Sequence, residues 1–209
     1  MKRLAALSLI AAGLLILSGL AWSQISDSRA TAEAQQRLLS SVPDGPRAVD
    51  ARTEPVAAGV RPGRALAVMR VPRFGKEWKW VVLEGASEDV IADGPGHYTR
   101  TALPGARGNA AFAGHRAGHG NPFIDFDRLR PGDEVSFTQG ETTWVYVLDT
   151  EPDIIPVSAD WVLEPLPGRQ LTLTTCWPKY GSSERMYVRG HLDRVETGQE
   201  SVRAASGTS

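Results

Sequence analysis

Hydrophobic and polar positions divide this chain into three zones before any motif is sought. After Met1, Lys2 and Arg3 no charged residue occurs until Asp27, and the intervening LAALSLIAAGLLILSGLAWSQI is mostly apolar. At about 1.5 Å per residue, roughly 20 such residues cross a hydrocarbon core of about 30 Å. Lys2 and Arg3 favour the cytoplasmic side, so everything beyond Asp27 is expected to be translocated. A cleaved signal peptide, with Ala21 and Ser23 at the small-residue positions, is the rival reading. Apolar regions of such peptides run about 7–15 residues, and this one is longer. Residues 1–26 are therefore read as a cytoplasmic tip and a single transmembrane helix, with the folded domain extracytoplasmic.

The second zone, 27–64, is polar. DSRATAEAQQRLLSS reads as a short helical stalk, and the stretch after it carries Pro43, Pro46, Pro55 and Pro62. Proline fixes φ and lacks a donor, so this stretch reads as an extended linker.

In the third zone, 65–195, the signals are for strands, several of them alternating with period two. ALAVMRV, KWVVLEG, GNAAFAGH, DEVSFTQ, TTWVYVLDT, RQLTLTTC and ERMYVRGHLDRV are β-rich runs bounded by Pro, Gly and Asp. Helical patterns are short, with SEDVIAD and NPFIDFDRL as candidates. Seven or eight short strands in this span predict an all-β barrel or sandwich with small helices. The tail, 196–209, is small and polar and predicts disorder.

Composition then sharpens the picture. A chain of 209 residues with 42% hydrophobic residues holds one ordinary domain plus accessories. Its formal net charge of -1, with both signs interspersed, gives no basic face for nucleic acid. There is one cysteine, Cys176, so no internal disulfide is possible. A lone thiol in an exported domain is either a small buried hydrophobe or kept for its reactivity.

Cys176 ends a strand, with Leu171 and Leu173 on one face and Thr172, Thr174 and Cys176 on the other. His115 stands where an apolar strand opens into a glycine-rich loop, a junction that gives a base both reach and position. His119 follows four residues on. A zinc site using His115, His119 and Cys176 lacks a sensible ligand spacing. Arg185 opens the last strand, and alternation sets it with Tyr187, Arg189 and His191. For Arg189 and His191 a solvated barrel edge is the simpler reading. A guanidinium at Arg185 is a dependable donor to an oxyanion. Thr174, Thr175 and His97 are candidate substrate-binding residues, although for His97, in a Gly/Pro-rich loop, a structural role is the simpler reading. The chemistry calls for no cofactor; the scattered acids leave calcium conceivable but without EF-hand spacing.

LTLTTCWPKYGSSERMYVRG resembles the sortase signature TLxTC, followed after a short loop by an arginine at the start of the next strand. GNAAFAGHR is similar to the strand and histidine of that family, and GPGHYTRTALPGARGN to its class E, actinobacterial group. The resemblance implies an eight-stranded β-barrel, Cys176 as nucleophile, His115 as acid/base and Arg185 as electrostatic stabiliser. It implies cleavage of Thr–Gly in an LPxTG- or LAxTG-type sorting motif and transfer of the threonyl group to an amine of the cell wall or a pilin. The linker lacks the aromatic lid motif of pilin-polymerising members, and the tail lacks a second apolar segment, which favours housekeeping-type anchoring.

Two alternatives stand beside this. An exported cysteine peptidase of L,D-transpeptidase type would carry His and Cys in one short run, and a papain-like one would set the cysteine at a helix start. A non-catalytic, membrane-anchored wall-binding domain would carry an inert Cys176.

Overall fold

A computed structural model describes residues 2–44 and 60–198, without the side chains of 2–12 and 20–25. The expected linker over 45–59 and the polar tail over 199–209 lie outside the described residues. Among the described residues nine strands form: β1 (Ala65–Arg70), β2 (Lys79–Glu84), β3 (Gly96–His97), β4 (Gly108–Ala113), β5 (Glu134–Gln139), β6 (Thr142–Leu148), β7 (Asp153–Pro156), β8 (Arg169–Trp177) and β9 (Glu184–Thr197). They hydrogen-bond in the order β6-β5-β1-β2-β3-β4-β8-β9, and a β6–β9 pairing closes the circle into an eight-stranded barrel. Strand β7 lies outside this circle, on the same edge of β9 that β6 uses further along.

Each of the seven sequence-predicted runs is a strand; some alternate between core and solvent, and others, such as β2, β4 and β8, are buried over consecutive positions. In β5, Val135, Phe137 and Gln139 turn inward while Glu134, Ser136 and Thr138 lie nearer solvent. Phe112, Phe126, Phe137, Leu171, Leu173 and Val188 are fully buried in one core. Burying each such side chain contributes about 1.5–3 kcal/mol. The two strands without a sequence signal are β3, of two residues, and β7, of four. SEDVIAD supplies α2 (Glu88–Ile91), and NPFIDFDRL supplies only a 3-10 turn at Phe126–Arg128.

Helix α1 runs from Lys2 to Leu39 without a break. Among the described residues, no helix is long and apolar enough to cross a membrane; much of the expected span falls on side chains outside that set. The stalk is helical as expected, but it does not stand free. Gln35 acts like a strand edge towards β2: its Oε1 accepts from Val81 N at 2.7 Å, and its Nε2 donates to Asp93 O at 2.7 Å and Val81 O at 3.2 Å. Thr31, 3% exposed, reaches Ala92 O at 3.1 Å, and Leu38 and Val42 pack on Ala65, Val81 and Leu83.

Candidate active site

Strands β4 and β8 run parallel, in register from Gly108↔Arg169 to Ala113↔Thr174. Gly114 N extends the ladder by donating to Thr174 O at 3.2 Å, and continuing the register through Gly114 sets His115 alongside Cys176. On the other side β9 is antiparallel, and its register pairs Cys176 directly with Arg185. Residues directly opposite in such a pair hold their Cβ atoms about 4.5–5.5 Å apart. Three adjacent strands thus deliver His115, Cys176 and Arg185 to one end of the barrel. All three line one cavity of about 830 Å³, whose remaining wall includes Glu88 and Ile91 of α2, Arg116 and Ala117 after the histidine, the loop at Gly118 and Asn121, and the loop Lys179–Ser182.

Gly114 is required for this approach. A Cβ there would lie 2.6 Å from the ring of Phe123, which is fully buried and has nowhere to move. The strand can turn His115 toward the cavity only because position 114 is empty of side chain.

The three groups differ in how they are held. His115 is half-buried, and its Nε2 is buried without a protein partner. Its ring stacks on His119, centroids 4.5 Å apart at 27°. Burial lowers its pKa below the ordinary histidine value and the His119 charge lowers it further, while Glu88 opposes both. Cys176 is a free, half-buried thiol. Among the described residues, the hydrogen bonds of Arg185 all leave from Nη1, to Ser182 O at 3.1 Å and Glu184 O at 3.0 Å. That leaves the rest of its planar fork for another acceptor.

Deep in the cavity wall lies Arg116, 1% exposed. Its Nη2 donates to Asp127 Oδ1 at 2.8 Å, its Nη1 lies 3.1 Å from Met186 Sδ, and its guanidinium covers the Trp177 ring at 4.7 Å. Burial pushes the Asp127 carboxyl up. Hydrogen bonds from its own amide and from Arg116, with the attraction of Arg116 and Lys179, outweigh that and hold its pKa below the usual carboxylate range.

The expected substrate-binding residues are placed elsewhere. Thr174, Thr175 and His97 do not line this cavity. Thr174 and Thr175 are each 3% exposed, and Thr175 donates to Gly114 O at 2.8 Å, knitting β8 to β4. Thr174 does share the Cys176 face, but Tyr98 covers it, with the phenol oxygen 3.0 Å from Thr174 Oγ1. His97 is fully buried, its Nδ1 3.0 Å from Glu84 Oε2 and its Nε2 2.9 Å from Ala102 O. Alternation explains the difference: where His97 turns inward, its neighbour Tyr98 turns toward the site. Burial raises the Tyr98 pKa; the Thr174 hydrogen bond and the Arg185 charge oppose this, and the Cys176 charge adds to it. Tyr98 carried no signal in the sequence, because the two residues of β3 give no alternation that would set its face.

Arg189 is not a solvated edge either; its guanidinium stacks at 5.2 Å over Trp161, and its Nε is buried without a partner. His191 does sit at the surface, 2.8 Å from Asp149. Among the described residues, no group of three or more His, Cys, Asp or Glu side chains is placed to hold a metal ion.

A closed eight-stranded barrel that brings a free cysteine, a histidine and an arginine to one cavity on adjacent strands has the architecture of a barrel-type cysteine transpeptidase. Comparison with known proteins agrees. A family model described as the sortase domain matches residues 69–193, and the chain belongs to the sortase family, whose members are cysteine transpeptidases. It is 34% identical to sortase SrtE1 of Streptomyces coelicolor over 63% of this chain and 41% of that protein. It is 30% identical to SrtE2 of the same organism over 88% of this chain and 77% of that one. The chain thus spans less than half of the first relative and about three quarters of the second. Among solved structures, sortase E from Streptomyces avermitilis superposes with a TM-score of 0.63 at 43% identity, covering 67% of this chain and 95% of that one. These matches set the chain with the class E sortases.

Proposed function

We propose that this chain is a membrane-tethered sortase that cleaves Thr–Gly in an LPxTG- or LAxTG-type sorting motif and passes the threonyl group to an amine. The observation that carries this is the strand register that pairs Cys176 with Arg185 while the parallel ladder brings His115 to its other side. The Cys176 thiolate attacks the threonine carbonyl carbon, and the carbonyl electrons move onto oxygen. Arg185 donates to that oxyanion with the part of its fork not spent on the backbone. As the tetrahedral species collapses, the C–N bond breaks, and the His115 imidazolium gives its proton to the departing glycine amine. A thioester remains on Cys176. An incoming amine attacks it, His115 takes up a proton, and the thiolate leaves.

The apolar run after Lys2 and Arg3 supports an N-terminal anchor, with the barrel outside the cytoplasmic membrane. Surface proteins bearing C-terminal sorting motifs are then the donors, and a peptidoglycan precursor or pilin amine is the acceptor. The absence of an aromatic lid motif in the linker favours housekeeping-type anchoring over pilus assembly.

The test incubates the full chain in detergent with a sorting-motif peptide, with and without a glycine-type amine, and resolves the products by mass. Accumulated acyl-enzyme on Cys176, and ligated product only when amine is added, is the expected result. The Cys176→Ala variant should give neither. Hydrolysis indifferent to amine would make this a peptidase, and transfer by Cys176→Ala would remove the cysteine from the reaction.

A further inference from the structure

The residues that follow the three site residues in sequence meet one another, and the first of them, Arg116, also contributes to the wall of the same cavity. Arg116 follows His115, Trp177 follows Cys176, and Met186 follows Arg185. The Arg116 guanidinium lies over the Trp177 ring at 4.7 Å and sets Nη1 3.1 Å from Met186 Sδ. Its Nη2 is anchored at 2.8 Å to Asp127, at the 3-10 turn that closes the histidine loop. One side chain therefore touches the strand or loop that carries each reacting group.

An arginine is an expensive way to fill this volume. Its side chain is 1% exposed, and its Nε is buried without a partner. Apolar side chains of similar size replace buried charges without loss of stability in many proteins. What an apolar residue cannot supply is direction. A planar guanidinium fixes an aromatic face, a sulfur and a carboxylate in one geometry.

We propose that Arg116 is a positioning residue that sets the spacing of His115, Cys176 and Arg185 through Trp177, Met186 and Asp127. This rests on the reading of the site as a sortase centre. Held this way, the imidazole and the thiol meet at a fixed separation; released, the segments beyond the last β4–β8 hydrogen bonds at Gly114 and Thr175 can shift relative to each other while the barrel stays closed. A displacement of about 1 Å among reacting groups costs on the order of 10²-fold in rate.

The experiment uses the full chain and compares wild type, Arg116→Met, Arg116→Lys, Asp127→Asn and His115→Ala. Two properties are read: kcat and KM for peptide-to-amine transfer, and the pH profile of Cys176 alkylation by iodoacetamide, which needs no sorting peptide. Arg116→Met should lose about 10²-fold in kcat with KM changed less than about threefold. Its alkylation profile should move toward that of His115→Ala. Arg116→Lys keeps the charge without the plane and should recover less than about a tenth of the wild-type rate. Asp127→Asn changes a carboxylate that is 46% exposed and is read in the same two ways, which covers the case of an Arg116→Met chain that does not fold. An Arg116→Met enzyme with kcat within threefold of wild type and an unchanged alkylation profile overturns the proposal. So does a loss of activity that merely follows a falling melting temperature across the set. If wild type forms no acyl-enzyme, the sortase reading fails, and the alkylation profile still decides the part played by Arg116.

Discussion

His97 and His115 lie on the same barrel and meet opposite treatment. His97 is fully buried and has both ring nitrogens occupied. Ala102 O can only accept, so Nε2 carries a proton; one further proton is then held between Nδ1 and Glu84 Oε2. Thr101 completes the arrangement, donating to Tyr98 O at 2.7 Å while receiving Ala111 N at 3.2 Å. His115, at the cavity, has a buried Nε2 with no protein partner. A buried polar atom without a bond costs stability, and native structures keep few of them. The fold satisfies the histidine that packs in its interior and leaves without a bond, among the described residues, the one proposed to move a proton.

This contrast can be broken most sharply at the cavity. His115→Ala should lose about 10²–10⁴ in turnover, the usual share of a positioned acid or base. Its melting temperature should stay close to that of wild type, because its Nε2 makes no protein bond to lose. A transfer assay beside a thermal melt reads both. If the variant keeps a third or more of wild-type turnover, the unpaired imidazole is not the proton carrier.

The matching change at His97 should do the reverse. His97→Ala leaves the Glu84 carboxylate buried without its partner, and breaking such a pair costs about 3–5 kcal/mol. Denaturant unfolding should show that loss, while the folded enzyme keeps kcat within a few-fold of wild type. Replacing Glu84 and His97 together by leucine should recover part of the stability, because no lone charge is then left inside. A His97→Ala chain with intact stability and lost turnover would move His97 into the chemistry, against its geometry.

The sequence made His115 legible and His97 ambiguous for a physical reason. A six-residue apolar-rich strand followed by Gly-His marks a strand-to-loop junction, so the place of His115 at the end of the strand can be read. The two-residue β3 is too short to alternate, so nothing in GPGHYTR says which of His97 and Tyr98 faces inward. The same limit hid β7, while the longer β8 and β9 gave Cys176 and Arg185 with their faces. Thr174 shows a further limit: alternation gives its face correctly but cannot reveal that Tyr98 covers it. The docking of α1 was invisible because Thr31 and Gln35 look like solvated stalk residues until β2 is in place. Arg116 likewise reads as an ordinary loop charge until the loop closes over Trp177.

The smallest expected effect concerns how His115 is tuned. Burial lowers its pKa first, the charge of His119 lowers it further, and Glu88 opposes both. The imidazolium needed to protonate the leaving amine is therefore lost, as pH rises, at a lower pH than for an ordinary histidine. His119→Asn removes the repulsion and should move that limb of the kcat/KM profile to higher pH. Asparagine suits the position because its backbone is left-handed, with φ of 49°. Glu88→Gln removes the opposing carboxylate and should move the same limb the other way. Each change should alter the rate at pH 7 by less than about threefold, since neither removes a reacting group. Stability has its own sign. A histidine whose folded pKa is depressed binds fewer protons folded than unfolded, so its contribution is present above the unfolded value of about 6.5 and is lost as pH falls through the folded one. His119→Asn should narrow that window and make the protein slightly more tolerant of acid. Limbs that shift in the same direction for both variants would mean that neither charge acts on His115, leaving burial alone to set its proton.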